Sequence, residues 1–314
     1  MIRHFLQEND FSQEEVIQIF ASAYDLKSTR SQRPTADLGG QSWGMMFYKQ
    51  STRTRVSFEV GIRELGGNPL ILDQSSTQIG RGESVADTAK VLSRFLDGLI
   101  IRAHGHEIIE EFAQHSSVPV VNALTDLLHP CQIYADCMTM MEKMGTGPNP
   151  FEGLRGKKLS FFGDTSCNMA NSWILAGSIF GMEISLCGPQ FYRPGLEIEQ
   201  LLKKHNLSPS WSFSTDPEEG AKDADVIYTD VWVSMGCEEE SQGRLESMTP
   251  YQVNDGLFAL TKDNCLFMHC MPAHPGEEVT QSVLNSERAI LFDQAENRLH
   301  MQKAILAALS KLNS

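Results

Sequence analysis

The chain has 314 residues, of which 41% are hydrophobic and 21% charged, and its formal net charge at pH 7 is −14. That length predicts two domains, and the composition is typical of a globular protein rather than of a disordered or fibrous one. The negative charge argues against nucleic acid or an anionic membrane as the main partner, and no apolar run is long enough to span a bilayer.

The cysteines and the opening residues indicate a reducing compartment. The 7 cysteines are irregularly spaced and form no C-x-x-C pair. Neither a disulfide framework nor a zinc site is therefore predicted. The opening segment MIRHFLQEND has no long apolar stretch of the secretory type. We expect a cytoplasmic protein with reduced thiols and no metal site.

The first half begins with a helix and then alternates strands with helices. Ser12 and Glu15 have the spacing of a capping box, and the apolar residues that follow recur on one helical face. Further apolar patterns alternate between strand and helix lengths. The predicted strands are 43–48, 69–72, 98–101 and 118–121, and the predicted helices after them are 53–65, 84–96, 107–115 and one that begins at HPCQ, 129–132.

The stretch WGMMFYKQSTRTRVSFE, 43–59, contains the first chemical signal. Its apolar strand ends in hydroxyl residues, and Arg53 and Arg55 open the following helix. Free backbone N–H groups at the positive end of a helix favour a phosphate-sized dianion, as do nearby guanidiniums. Two arginines on a first helical turn are most often solvated, but their coincidence with the strand and the hydroxyls favours anion binding.

The second half repeats the alternation after MGTGPNP, 144–150, where two glycines and two prolines indicate a domain boundary. Strands are predicted at 159–162, 183–186, 211–213, 226–228, 265–268 and 289–292, helices at 168–180, 196–205 and 294–312, and a loop at CEEESQ, 237–242. This alternation predicts an α/β fold in which each of two domains is a parallel sheet flanked by helices. The last helix is long enough to pack back on the first domain. We place the domains at 1–145, joined by 294–314, and at 146–293.

Polar residues follow the predicted strands at their carboxyl ends. The positions concerned are the segment 51–55, Arg102, His129, Asn168, Asp230 and Cys270. Ligands bind at that edge in open parallel sheets, and two such edges facing each other would enclose a cleft. The cationic positions come from the first half and Asp230 from the second. This division suits two substrates, one phosphorylated and one carrying an amine.

Each position also has an ordinary structural interpretation. An arginine after a strand is more often an ion-pair partner, and a histidine before a proline caps the helix in about half of cases. Asparagine and aspartate are common helix caps, and a cysteine in an apolar strand is usually a small buried hydrophobe. Only the joint placement of these residues favours the functional interpretation.

Several motifs together have a specific resemblance. They are STRTR, GESVADTAKVLSRFLDGLIIR, HPCQ, TDVWVSMG, HCMPAHPGEEV and FDQAENR. These motifs, in this order and over nearly the whole chain, resemble those of the aspartate/ornithine carbamoyltransferase family, and those of its ornithine branch most closely. The resemblance implies a homotrimer that transfers the carbamoyl group of carbamoyl phosphate to the δ-amine of L-ornithine, giving citrulline and phosphate. No cofactor is expected, because the leaving group is already activated.

The resemblance also implies roles for individual residues. The residues expected to bind carbamoyl phosphate are Ser51, Thr52, Arg53, Thr54, Gln78, Arg102, His129, Gln132, Cys270, Met271 and Arg298, with Gln78 reaching a neighbouring subunit's site. Those expected to bind ornithine are Asn168, Asp230, Ser234 and Met235. As catalytic groups, Arg102 and His129 would stabilise the oxyanion, while Asp230 and Cys270 would position the amine and select its neutral form. Arg53 and Arg55 would take up charge on the departing phosphate.

Two departures from the family pattern concern the ornithine side. Pro275 stands where relatives have an arginine, which removes a cation and an N–H donor, and Cys167 stands where asparagine is common. One alternative is a carbamoyltransferase for putrescine or an acylated ornithine, against which the SMG loop, 234–236, argues. Another is a binding protein without activity, which the joint presence of all four catalytic residues disfavours. The direction of the reaction, its regulation and assembly beyond a trimer stay open.

Overall fold

The computed structural model describes residues 2–32, 34–73, 82–208, 210–233 and 241–314. The chain forms two compact units. The first comprises Met1–Met138, Gly147–Asn149 and Glu296–Ser314, and the second comprises Thr139–Thr146 and Pro150–Ala295. No helix in the described ranges is long and apolar enough to cross a membrane.

The first unit is built on a four-stranded parallel sheet. Its strands are β1 (Ser42–Phe47), β2 (Asn68–Asp73), β3 (Gly98–Arg102) and β4 (Val120–Leu124), in the spatial order β2-β1-β3-β4. Its helices are α1 (Gln13–Ser28), α2 (Thr52–Glu64), α3 (Val85–Leu92), α4 (His106–His115) and the first part of α5 (Pro130–Met144). Strands β3 and β4 are buried along their whole length, as expected for parallel strands covered on both faces.

Local sequence signals explain how the helices of this unit begin and end. The capping box forms at α1, where Glu15 N donates to Ser12 Oγ at 3.3 Å and Ser12 N donates to Glu15 Oε2 at 2.7 Å. Helix α2 ends before Gly66, whose φ of +81° lies in the left-handed region. A Cβ at Gly66 would also lie 2.6 Å from the carbonyl oxygen of Thr35, so only glycine fits this turn.

The second unit is built on a five-stranded parallel sheet. Its strands are β5 (Lys158–Phe162), β6 (Glu183–Cys187), β7 (Trp211–Ser214), β8 (Val226–Thr229) and β9 (Leu266–His269), in the order β7-β6-β5-β8-β9. Its helices are α6 (Pro150–Gly153), α7 (Asn168–Phe180), α8 (Leu196–Lys204), α9 (Pro217–Ala221), α10 (Ser241–Met248), α11 (Asp255–Phe258) and α12 (Gln281–Leu284). Short 3-10 turns also occur in the described residues, at Arg30–Gln32, Gln190–Tyr192 and Thr249–Tyr251.

The last helix, α13 (Leu291–Leu312), returns to the first unit from Glu296 onward. There Lys303 Nζ donates to Glu64 Oε2 at 2.9 Å in a buried ion pair. A Cβ at Gly61 would lie only 3.1 Å from the Lys303 side chain, so α2 and α13 are in close contact. The predicted return of the last helix onto the N-terminal elements is confirmed.

Each sheet has a point where the strand order reverses. In the first, β1 lies between β2 and β3, and in the second, β5 lies between β6 and β8. The loops after β1 and β3, and those after β5 and β8, therefore flank the crevices in which open α/β sheets bind ligands. The loop after β1 contains Ser51 and the segment after β8 contains Asp230, while Asn168 begins the helix that follows β5.

The predicted α/β class with two parallel sheets is confirmed, but several boundaries are wrong. Residues 289–292 are not a strand: Ala289 forms one isolated bridge with Phe267, and α13 begins at Leu291. Ser241 and Gln242 belong to α10 rather than to a loop, and 237–240 lie outside the described residues. Helix α3 ends at Leu92 instead of Leu96, because Phe95 N donates to Leu92 O, a three-residue turn.

Candidate active site

The first unit gathers a buried cationic group at the carboxyl edge of its sheet. Arg102 ends β3, His129 precedes α5, and Arg298 comes from α13. Their exposed fractions are only 8%, 4% and 3%. Arg298 Nη2 donates to Thr54 Oγ1 at 2.8 Å, and Thr54 is fully buried in the first turn of α2. The structure thus joins four of the predicted site residues.

The imidazole of His129 is held neutral by its surroundings. Burial lowers its pKa well below the ordinary 6.5, and the guanidiniums of Arg298 and then Arg102 lower it further. A neutral imidazole still donates one hydrogen bond, so His129 supplies a dipole next to two permanent cations. Such a group suits an oxygen on which negative charge develops.

Gln132 offers an acceptor to the same region. Its amide nitrogen donates to Asp136 Oδ1 at 2.8 Å, one turn later in α5, which fixes the orientation of the amide. Its amide oxygen is buried and accepts no hydrogen bond from any side chain or backbone group that the structure describes. A buried acceptor of this kind calls for a donor, such as the amide nitrogen of a ligand.

The start of α2 is more exposed to solvent than expected for the anion site predicted from its arginines. Ser51 caps the helix by accepting from Thr54 N at 3.3 Å, while Thr52, Arg53 and Arg55 are exposed. The first backbone N–H groups of a helix have no intrahelical partner and point toward an approaching anion. Positions 53 and 55 lie about 200° apart around the helix axis, so the two side chains leave it on different faces.

The second unit joins two of the predicted catalytic residues. Cys270 Sγ donates to Asp230 Oδ1 at 2.9 Å, and the same oxygen accepts Val231 N at 2.8 Å. Asp230 follows β8 and Asn168 begins α7 after β5, so both flank the β5/β8 reversal. All three predicted residues are half-buried, which leaves them open to a ligand.

The turn after β9 has an uncommon backbone. Met271 has a φ of +61°, its N–H donates to His269 Nδ1 at 2.8 Å, and a cis peptide joins it to Pro272. Gln294 accepts the N–H of His269 at 3.0 Å and donates to the Tyr228 hydroxyl at 3.1 Å. The end of β9 is therefore fixed by side chains on either side of it.

Arg244 supports the same edge of the second sheet, although its sequence context gives no signal of such a role. Its side chain is buried, its Nε donates to Trp232 O at 2.9 Å, and it forms an ion pair with Asp164. Its guanidinium also lies 4.8 Å from the centre of the Tyr192 ring. Because Asp164 follows β5 and Trp232 follows β8, Arg244 ties together the loops that carry Asn168 and Asp230.

Three of the predicted site residues, Gln78, Ser234 and Met235, lie outside the described residues. Asp230, His269 and Cys270 place potential metal-ligand atoms within 4.8 Å of one another. The hydrogen bonds from Cys270 to Asp230 and from Met271 to His269 already account for these positions, so the geometry does not require an ion.

Comparison with known proteins bears on both units. The carbamoyl-P binding domain model of the aspartate/ornithine carbamoyltransferases matches residues 3–142, and the Asp/Orn binding domain model matches residues 155–309. The chain belongs to the aspartate/ornithine carbamoyltransferase family.

Curated family members and solved structures resemble it over nearly their full length. The ornithine carbamoyltransferase of Geobacter sulfurreducens is 47% identical over 312 residues, 99% of this chain and 100% of the relative. The structure of ornithine carbamoyltransferase from Pyrococcus furiosus superposes with a TM-score of 0.88 at 42% identity, covering 97% and 96% of the two chains. An anabolic ornithine carbamoyltransferase from Campylobacter jejuni also gives a TM-score of 0.88, at 35% identity over 99% and 100%.

The two departures from the carbamoyltransferase pattern have distinct settings. Pro275 is exposed and forms a bridge with Val279, next to the hydrogen bond from Gly276 N to Val279 O at 2.9 Å. Cys167 precedes α7 as its N-cap without a side-chain capping bond. Burial, with Asp164 and Asp230 adding to it, raises the pKa of the Cys167 thiol well above its usual value. It is therefore no nucleophile at neutral pH.

Proposed function

We propose that this chain transfers the carbamoyl group of carbamoyl phosphate to the δ-amine of L-ornithine, giving L-citrulline and phosphate. The observation that carries the proposal is the match of both family models, one to each half, together with full-length relatives that are ornithine carbamoyltransferases. The two clusters agree with it chemically, since one is cationic and the other presents a carboxylate. In the overall reaction the Nδ–C bond forms and the C–O bond to phosphate breaks.

The donor is bound by the first unit in this proposal. The N–H groups of Thr52 and Arg53, the Ser51 hydroxyl and the Arg53 guanidinium hold the phosphate at the start of α2. Thr54 and Arg298 complete the pocket from beneath, and Gln132 accepts from the carbamoyl N–H₂. Gln78 is proposed to approach from a neighbouring subunit, and the Cys270–Met271 backbone to contact the carbamoyl end.

Stabilisation of the tetrahedral intermediate falls to Arg102 and His129. Arg102 supplies a permanent charge and His129 a neutral N–H donor to the developing oxyanion. Because both are largely buried, their dipoles act with little competition from water. Removing one such donor typically costs roughly 10²–10³ in turnover.

The acceptor amine requires selection of its neutral form. An alkylamine with a pKa of about 10.4 is almost wholly protonated at pH 7 and has no lone pair for attack. Cys270 and Val231 orient the Asp230 carboxylate, which accepts a hydrogen bond from the amine. This contact directs the lone pair of the amine nitrogen at the carbamoyl carbon. One amine proton is lost to solvent before attack, and a second passes to the departing phosphate when the intermediate collapses. Asn168, Ser234 and Met235 hold the amino-acid end of ornithine.

The oligomeric state, the cellular location and the domain bounds are proposals as well. We propose a homotrimer in the cytoplasm that serves arginine metabolism, with domains at 1–145 plus 294–314 and at 146–293. The first unit keeps several large apolar side chains exposed, which supports an oligomer. They are Val56, Leu70, Val91 and Phe95, with exposed fractions of 53%, 50%, 47% and 74%.

An amine panel tests the reaction. Purified protein is incubated with carbamoyl phosphate and, in separate reactions, with L-ornithine, putrescine, an N-acylated ornithine or L-aspartate, and the ureido products are measured. We expect citrulline from ornithine and at least about tenfold lower kcat/KM with the others, because each lacks or masks a group that polar contacts would bind. Equal turnover of putrescine would exclude recognition of the amino-acid end.

A matched pair of arginine variants tests the donor pocket. By calorimetry, Arg53→Ala should weaken binding of carbamoyl phosphate about 10- to 100-fold, the value of a charge-assisted hydrogen bond to phosphate. Arg55→Ala removes the same charge from the other face of α2 and should change affinity less than about threefold, by long-range attraction alone. Equal losses in the two variants would contradict a specific contact with Arg53.

A further inference from the structure

The second unit contains a cavity that the proposed reaction does not use. It is lined by residues of α8, of the segment after β6 and of β7, the edge strand of the sheet, and its volume is about 420 Å³. That volume is within the range of small-molecule binding sites. None of the lining residues is assigned to carbamoyl phosphate or ornithine.

One wall of the cavity is apolar. Trp211 and Phe213 are alternate residues of β7, so their side chains lie on the same face of the strand, and both are half-buried. Leu202 of α8 and Leu207, which follows that helix, line the cavity as well. This wall suits a flat apolar group, and an aromatic ring gains most from contact with two other rings.

Arg193 places a cation against the aromatic wall. Its guanidinium carbon lies 5.8 Å from the centre of the Trp211 ring and 5.6 Å from the centre of the Phe213 ring, within the range of cation–π contacts. No described residue forms an ion pair with this guanidinium or accepts a hydrogen bond from it. The rings thus hold a planar set of donors that has no anion, and a carboxylate is the group that such a set binds best.

Helix α8 adds one charge of each sign. Glu199 and Lys203 both line the cavity, and they are four positions apart on one face of the helix. They form no ion pair with each other in the structure, and neither has another charged partner among the described residues. Lys203 is a second cation for a carboxylate, whereas Glu199 is an acceptor for an ammonium group.

We infer that this cavity binds an aromatic amino acid as its zwitterion. The carboxylate of the ligand contacts Arg193 and Lys203, its ammonium group contacts Glu199, and its ring packs on Trp211 and Phe213. A free amino acid has both charges at neutral pH, so it matches cations and a carboxylate on one rim. Neither the cavity nor its ligand depends on the proposed carbamoyl transfer.

Calorimetry with L-phenylalanine tests the binding. We expect a Kd of about 0.1–5 mM, the affinity of an efficient ligand of this size. Three analogues, each lacking one recognised group, should bind at least about fivefold more weakly: 3-phenylpropionate, phenethylamine and L-alanine. Absence of saturable binding of L-phenylalanine up to about 20 mM would overturn the inference. Equal affinity for 3-phenylpropionate would overturn recognition of the zwitterion.

Two glutamates of α8 provide a matched pair of variants. Glu199→Gln should weaken binding of L-phenylalanine at least about threefold, since a partly exposed charge pair is worth about that much. Glu197 is exposed, does not line the cavity, and lies about 200° around the helix axis from Glu199. Glu197→Gln should therefore change the Kd less than about 1.5-fold. Equal losses in the two variants would indicate long-range charge alone and overturn the contact.

A variant of Arg193 locates the ligand within the molecule. Arg193→Gln keeps an amide in place of the guanidinium but removes the charge, and it should weaken binding of L-phenylalanine at least about fivefold. The side chain is exposed, so the substitution should leave the fold intact by circular dichroism. Unchanged affinity would mean that the amino acid binds elsewhere, for example at the proposed ornithine site, and would overturn the inference.

Tryptophan fluorescence gives a second readout of the same cavity. Trp43 and Trp173 are 0% exposed and Trp232 is 2% exposed, whereas Trp211 is half-buried, so collisional quenching by acrylamide reports mainly on Trp211. Saturating L-phenylalanine should lower the quenching constant at least about twofold, because a ligand in a cavity covers the wall that it contacts. Trp211→Phe is the control and should show little quenching with or without the ligand. Unchanged quenching of the unmodified protein at a concentration that saturates the calorimetric signal would overturn this location.

Discussion

Burial makes the stability of the fold depend on pH through His129. Burial, with help from Arg298 and Arg102, lowers the pKa of this imidazole well below 6.5 in the folded protein. In the unfolded chain the same group has a pKa of about 6.5. Between those two values the unfolded state binds the additional proton. The folded state is therefore destabilised as pH falls below about 6.5, and the loss disappears above that pH.

The size of the effect follows from proton linkage. For a histidine that stays neutral in the fold, lowering the pH from about 7.5 to about 5.5 reduces the free energy of unfolding by about 1.4 kcal/mol. His129→Gln removes this contribution. His300 is also fully buried, and burial lowers its pKa to about 4, so His300→Gln provides a second case with the same expected change.

Urea unfolding at the two pH values, followed by fluorescence and circular dichroism at constant ionic strength, measures this difference. Each variant is compared with itself, so the cost of the substitution cancels. The unmodified protein should lose about 1.4 kcal/mol more between the two pH values than His129→Gln does. Equal losses would show that the folded state takes up the proton, and the neutral N–H donor in our proposal would have to be replaced by an imidazolium.

Three further predictions concern turnover. Arg102→Ala should fold normally and lower kcat roughly 10²–10³-fold, the cost of one oxyanion donor, and near-normal kcat would remove that role. Arg244→Met should raise KM for ornithine about tenfold and leave the affinity for carbamoyl phosphate unchanged, because it removes the contacts that join the loops after β5 and β8. Equal changes for both substrates in steady-state kinetics would contradict this. Finally, kcat/KM for ornithine should rise about tenfold per pH unit from about pH 6.5 to about pH 8.5, following the neutral fraction of an amine with a pKa of about 10.4, and a flat profile would argue against capture of the free amine.

The alternation of strands and helices was predictable because buried parallel strands are short continuous apolar runs. The run 289–292 shows the limit of that signal, since a short apolar segment fits a strand and a buried helix start equally well. Strand β4 shows another. The prediction stopped before Asn122, yet the strand continues because the buried Asn122 side chain donates to Leu6 O at 2.8 Å. No local pattern reveals such a long-range partner.

The candidate site divides in the same way. Positions at a strand end or in the segment after it, such as Arg102, His129 and Asp230, follow from topology, because parallel strands direct their carboxyl ends to one edge. The residues that orient them do not. Arg244 acts through contacts with two loops, one of them 80 positions away in sequence, and a single polar residue has the same local appearance whether it is solvated or buried. The sequence alone therefore gives no sign of its role.

The hydrogen bond between Arg298 and Thr54 joins residues that are 244 positions apart. A ribosome adding about 5–20 residues per second would take roughly 12 to 50 seconds to make the intervening chain. During that interval the nascent N-terminal half contains the start of α2 but not the arginine that braces it. The phosphate pocket is therefore completed late in synthesis, after the whole second unit has been translated, and an incomplete chain would have no finished donor site to load.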